Sequence, residues 1–200
     1  LHFETNKGLC SPVVHSCDSR LTLHGWMDGL VPDFLKQREQ DFLKLEETEN
    51  AFGPGPLLLL YNVPTAIDDD EINAMIEDGA REAHRQGCTI YRIYNSKDDH
   101  SGALLDLSLK QALEQIASGK WEQKHIAADQ ASKDGIILFF SGFSNAEMMA
   151  TFHIMAQEIY QETGGLSPAC AKAVPNAMQK PLRQVLSEIA GDHENAEQAE

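Results

Sequence analysis

One pattern occurs twice in this 200-residue chain and limits what it can fold into: a short apolar run, a turn, then a capped helix. The later copy is Asp134 to Met155. Ile136, Ile137, Leu138, Phe139 and Phe140 are consecutive and rich in β-branched and aromatic residues. Such a run fits a strand buried on both faces. Ser141-Gly142 stops it. Ser144-Asn145-Ala146-Glu147 then reads as a capping box opening a helix. Met149, Phe152, Ala156 and Ile159 give that helix its apolar stripe, and Gly164-Gly165 ends it.

The earlier copy begins with Leu57–Leu60 and Tyr61 as the strand, broken at Val63-Pro64. Asp68-Asp69-Asp70-Glu71 is again a cap with Glu three residues on. Ile72, Met75, Ile76, Gly79, Ala80 and Ala83 form the stripe of one helix that Gly87 closes. Nearly the same interval separates the strands and the caps of the two copies, which suggests an internal duplication.

A second strand follows each capped helix. Thr89–Tyr94 is one by composition, and Ala169–Val174 is a weaker one because alanine is a poor strand former. Each is followed by a further helix. Ala103–Ile116 carries Leu105, Leu109, Ala112, Leu113 and Ile116 on one face, with Gly119 as its stop. Pro181 opens the last helix, whose stripe is Leu182, Val185, Leu186 and Ile189, and Gly191 stops it. Strand, helix, strand, helix makes a βαβα unit. A helical crossover joins parallel strands, with right-handed sense. The fold class is therefore α/β with two βαβα units, at 55–120 and 134–190. The four strands join in one sheet or form two lobes, and the sequence does not choose.

Residues 1–54 precede these units as an irregular arm and a docking helix. The helix is Pro32-Asp33-Phe34 onward, with Phe34, Leu35, Phe42 and Leu45 as a thin stripe broken by Arg38 and Asp41. A stripe that thin must dock on the protein's own sheet or on a partner. Ala51–Pro56, AFGPGP, reads as a stiff linker and a boundary. It lacks the Gly-Lys-Ser/Thr ending of a phosphate loop and precedes a strand instead of following one. Residues 191–200 read as a disordered acidic tail, with Asp192, Glu194, Glu197 and Glu200 and no base.

The net charge of −15 argues against nucleic acid or an anionic membrane as partner, since both need clustered Lys and Arg. No apolar run approaches the roughly 20 residues that span a bilayer, so a soluble chain is expected. The first residue is Leu, not Met, which suggests a processed chain, and no targeting peptide is visible. Four widely spaced cysteines, Cys10, Cys17, Cys88 and Cys170, point to a reducing compartment.

GIILFFSGFSNAEMM followed by ACAKAVPNAMQKPLRQVLSEIAGDH, over 135–193, resembles a short βαβα domain family of unknown function found in bacterial and plastid proteins. Residues 57–116 resemble it more loosely. The resemblance implies the fold, carries no catalytic residue across, and places the chain in a plastid stroma, or otherwise in the cytoplasm.

Several clusters have chemistry-bearing residues. Cys10, His15, Cys17 and His24 resemble a ligand list, but the cysteine spacing exceeds that of zinc sites, and an irregular arm is the simpler reading. Asp68–Glu71 suits a helix N-terminus better than a cation, because consecutive first-turn carboxylates diverge. His153 reads as a core-edge residue and Cys170 as a packed thiol. Lys172, Lys180 and Arg183 gather positive charge near the last helix. No catalytic triad, zinc motif or dinucleotide fingerprint is present, and no catalytic, metal or cofactor residue is assigned. The expected function is a non-catalytic adaptor, assembly or structural subunit that works through protein partners, with Trp26, Phe34 and Phe42 as anchors. The alternative is a small-molecule binder or enzyme. Its crevice would lie at the strand ends between the units, near Asn62, Asn95, Asp98, His100 and Ser141.

Overall fold

The computed structural model describes residues 51–94, 102–121 and 135–197. The arm and docking helix of residues 1–50, with Trp26, Phe34, Phe42, Cys10 and Cys17, lie outside the described residues. So do Asn95, Asp98 and His100.

The first unit runs β1 (Leu57–Tyr61), α1 (Asp69–Gly79), α2 (Arg81–Arg85), β2 (Thr89–Ile93), α3 (Gly102–Leu105) and α4 (Leu109–Ala117). The second runs β3 (Ile137–Ser141), α5 (Asn145–Thr163), β4 (Ala169–Lys172), a 3-10 turn (Pro175–Ala177) and α6 (Leu182–Glu197). All four strands join in one mixed α/β sheet, in the order β2-β1-β3-β4. β1 pairs parallel with β2, and β3 parallel with β4, as helical crossovers require. The units meet through β1 and β3, which pair antiparallel about Leu59 and Phe139.

Both central strands are covered on both faces, which is why they read as unbroken apolar runs. Leu57, Leu59, Ile137 and Phe139 point to a core closed by α4 and α6. Leu58, Leu60, Leu138 and Phe140 point to the opposite core, closed by α1 and α5. Each such side chain contributes roughly 1.5–3 kcal/mol when fully buried. Leu107 and Lys180 add a bridge on the first face: Leu109 N–H donates to the Lys180 carbonyl (2.8 Å), and Leu182 N–H to that of Leu107 (2.9 Å).

Four expectations need correction. The helix expected from Asp68 to Gly87 is two. Asp68 caps α1 as read, accepting from Glu71 N–H at 2.8 Å, but Ala80 leaves helical geometry at φ −137°. The cause is tertiary. Glu147 of α5 accepts from Glu82 N–H (3.0 Å) and Ala83 N–H (3.3 Å), and so caps α2 from across the interface. The helix expected over 103–116 is also two, because Ser108 and Gln111 make a capping box that starts α4 afresh. The last helix does not stop at Gly191. It continues to Glu197, so residues 192–197 of the expected disordered tail are helical. The His193 ring lies 3.0 Å from the Ser167 carbonyl and ties the last turns to the loop before β4. Finally, residues 52–55 are not a free linker. Ser141 Oγ donates to the Pro54 carbonyl (2.6 Å) and Gly142 N–H to that of Phe52 (2.8 Å), strapping the segment across the end of β3. Gly53 sits at φ +97°, where a Cβ would also clash with Ser141 Oγ.

The α1–α5 crossing depends on Gly79. A Cβ there would lie 2.7 Å from the Thr151 backbone. Gly79→Ala should therefore cost about 1–3 kcal/mol through overpacking, against the gain in helix propensity that alanine brings elsewhere. Urea denaturation measures it, and a stabilised variant would contradict the crossing.

Glu147 adds a pH-dependent contact. Burial disfavours its charged form, but the hydroxyl of Ser144 and the N–H groups of Ala83, Glu82 and Ser144 outweigh that, holding its carboxyl below the ordinary 4.5. A carboxylate with a lowered folded pKa adds stability above its unfolded value and loses it as pH falls through the folded one. Glu147→Gln should be less stable at neutral pH, by well under about 1 kcal/mol because solvent screens the partly exposed carboxylate. That difference should vanish once the pH is below the carboxylate range, as denaturation at both pH values would show.

Candidate functional site

β4 is the last strand of the sheet among the described residues, and its sequence makes it an unusual edge. Ala169, Ala171 and Ala173 pack on the α6 side of the sheet. Their methyl groups leave volume where a valine or isoleucine would fill it. α5 rises on one side of this strand and α6 on the other. Between them runs a groove of about 680 Å³. Met149 and Phe152 form the α5 wall, and Val185 and Ile189 the α6 wall. Cys170 and Lys172 lie along the floor.

The wall on α5 arises from a one-residue difference between expected and observed burial. The stripe read as Met149, Phe152, Ala156 and Ile159 is in fact Met148, Thr151, Met155 and Ile159. Met149 and Phe152 are only partly buried, on the flank of that core, and so line the groove. His153 is exposed, its ring 5.9 Å from that of Phe152.

Polar groups are few and engaged. Lys172 Nζ donates to Asn145 Oδ1 at 2.6 Å, and burial lowers the Lys172 pKa. Lys180 pairs with Glu188 at 3.0 Å. Arg183 turns away to Asp106 at 3.2 Å. The cations expected to cluster near the last helix are thus dispersed onto separate partners. The Cys170 thiol is pushed up to about 12 by burial, and burial likewise drives Cys88 to about 12 against a hydrogen bond from the Leu58 backbone. Neither is a nucleophile at neutral pH.

The strand-end crevice does not form from its described members. Because β1 and β3 are antiparallel, Ser141 pairs with Leu57 at one end of the sheet, while Asn62 follows Tyr61 at the other. Both are buried. Ser141 holds the strap, and Asn62 N–H bonds the Ile93 carbonyl at 2.9 Å. Two parallel units side by side would have placed these residues together, and nothing in the sequence reveals the antiparallel junction.

A second polar centre lies on β2. Arg92 of β2 is 8 % exposed and donates to Asp69 (2.8 Å) and to the carbonyls of Ile67 (2.5 Å) and Pro64 (3.3 Å). It fixes the β1–α1 loop and satisfies carbonyls that burial would leave unpaired. Its signal was an arginine inside TIYRIY, a charge in an otherwise apolar strand. Among the described residues no three His, Cys, Asp or Glu side chains gather as a metal site. None of their helices is long and apolar enough to cross a membrane.

A family model described as a domain of unknown function, DUF3783, matches residues 137–195. That span takes in β3, α5, β4 and nearly all of α6, so it contains the whole groove. No curated protein and no solved structure matches the chain.

The cysteines offer a direct check. In a chain carrying Cys10→Ser and Cys17→Ser, a disulfide reagent at mildly alkaline pH should modify Cys88 and Cys170 roughly fifty-fold more slowly than after unfolding. Rapid labelling of folded protein would mean that these half-buried thiols are not held protonated.

Proposed function

We propose that this protein is a non-catalytic interaction module, an adaptor or assembly subunit of a larger complex, and that it engages its protein partner through the groove along β4. The observation that carries this reading is the groove itself: an apolar channel of about 680 Å³ whose floor is an edge strand and whose walls are Met149, Phe152, Val185 and Ile189. Apolar, aromatic and methionine-rich surfaces between polar rims suit protein recognition. The two described thiols are protonated at neutral pH, which fits a role without thiol chemistry. Trp26, Phe34 and Phe42 are a second set of proposed contacts. The resemblance of the second unit supports a plastid stroma as the setting, to be tested by fractionation.

The volume also falls within the range of about 300–1,000 Å³ usual for small-ligand sites. The alternative, an apolar small molecule, therefore uses the same groove.

Native mass spectrometry of protein purified gently from its source separates the two. The expected result is a stable mass well above 22.1 kDa, lost in the double variant Phe152→Asp, Ile189→Asp, whose melting temperature stays close to wild type. Phe34→Ala with Phe42→Ala asks the same of the first fifty residues. A monomer carrying a small added mass would replace the subunit reading with the ligand one.

A further inference from the structure

We infer that this chain is a fused dimer: the junction of β1 with β3 is a self-association surface of one βαβα unit, and the partner that β3 fits, apart from the first unit, is a second copy of the second unit. The groove plays no part in it.

The two units share one internal geometry. Leu57 pairs with Thr89 and Ile137 with Ala169, thirty-two residues on in both units. Thr89 N–H donates to the Pro56 carbonyl (3.0 Å), and Ala169 N–H to that of Ile136 (2.8 Å). Eighty positions separate each of these residues from its counterpart. The same shift takes Asn62 to Gly142, and both are left-handed, at φ +55° and +76°. It also takes Arg92 to Lys172. Arg92 donates to Asp69, the first residue of α1 (2.8 Å), and Lys172 to Asn145, the first residue of α5 (2.6 Å). One register, one turn and one contact from strand cation to helix start therefore recur. α1 and α2 together stand where α5 does, broken at Ala80.

The units also meet as the halves of a two-fold dimer do. In such an interface residue i of one half meets j of the other while j meets i, and a residue on the axis meets its own counterpart. Leu59 faces its counterpart Phe139, and the flanking pairs are exchanged: Leu57 faces Ser141, and Tyr61 faces Ile137. Ser108 and Pro181, which immediately precede α4 and α6, face each other in the same way. Their flanking bonds are reciprocal, Leu109 N–H to the Lys180 carbonyl and Leu182 N–H to that of Leu107. Two separate places where counterparts face each other define one axis.

A single unit needs this partner. The matched family span holds two strands, β3 and β4, and two strands alone are marginal. Alternate residues of a strand serve alternate neighbours. The carbonyls of Ile136 and Phe140 serve β4, so the N–H and C=O groups of Ile137, Phe139 and Ser141 serve β1. Without β1 they would form an open edge between two apolar faces. Residues 137–195 carry six acidic and three basic side chains, so most of the net charge of −15 lies elsewhere. A second copy of this unit therefore meets little repulsion.

The test is made in the full chain. Leu59→Pro places proline in a central strand, where it removes a ladder bond to β3 and unseats β1. Native mass spectrometry of this variant should give twice 22.1 kDa. Its amides at Ile137, Phe139 and Ser141 should exchange at least tenfold more slowly in concentrated than in dilute solution, as pairing with a second copy requires. A folded Leu59→Pro monomer would overturn the proposal. So would a dimer in which those three amides exchange freely, since it would use another surface. Should Leu59→Pro fail to fold, a chain whose first unit, 55–120, is replaced by a second copy of 134–190 decides: cooperative unfolding supports the fused dimer, and a chain that does not fold overturns it. Phe152→Asp with Ile189→Asp should leave the Leu59→Pro dimer intact, so loss of native companions in that double variant bears on the groove alone.

Discussion

The described elements are all positioned by the antiparallel pairing of β1 with β3. Five residues face five, from Leu57 opposite Ser141 to Tyr61 opposite Ile137, and nearly all are buried. A pair so apolar on both faces needs two covering layers. α1 and α5 supply one and α4 and α6 the other. The pairing makes one sheet of two units, so among the described residues β2 and β4 are its outer strands. It also turns the strands of the two units in opposite directions, which separates Asn62 from Ser141. A parallel junction of the same elements would have given a crevice with polar ends. The antiparallel junction gives a sheet whose chemistry sits at its rim.

The two rims are unlike. β2 presents Tyr91, Arg92 and Ile93, large groups that are buried. Arg92 spends its charge on Asp69 and on the carbonyls of the β1–α1 loop. Removing one partner of such a buried charge is costly, so this rim is structural. β4 presents alanines, and its flanking helices wall the groove beside it. The matched family span, 137–195, covers the second rim and not the first.

The local content of the fold was readable because it is set by local rules. The strand at 57–61, the Asp68 and Ser144 caps and the glycine stop of α5 all came from spacing and capping chemistry. What escaped was decided across the chain. Nothing near Ala80 announces a break, because the group that caps α2 is Glu147, more than sixty residues away. Gly191 would end an isolated helix, yet the contact of His193 with Ser167 carries α6 past it. The capping box at Ser108-Gln111 was local and legible, but a continuous apolar stripe masked it.

The groove was hidden by the same kind of ambiguity. Met148, Met149, Thr151 and Phe152 give α5 an apolar band wider than one stripe, and sequence alone cannot say which edge of the band meets the core. The choice is made by Gly79, which lets α1 approach Thr151 and seats the 148–151–155–159 line inward. Met149 and Phe152 are then left on the shoulder facing β4. The alanines that made β4 the weakest strand in the sequence are what leave that shoulder lining a groove. A poor strand former on the rim and an overwide apolar band on the neighbouring helix are one feature seen from two sides. Together they account for the groove on this rim of the sheet.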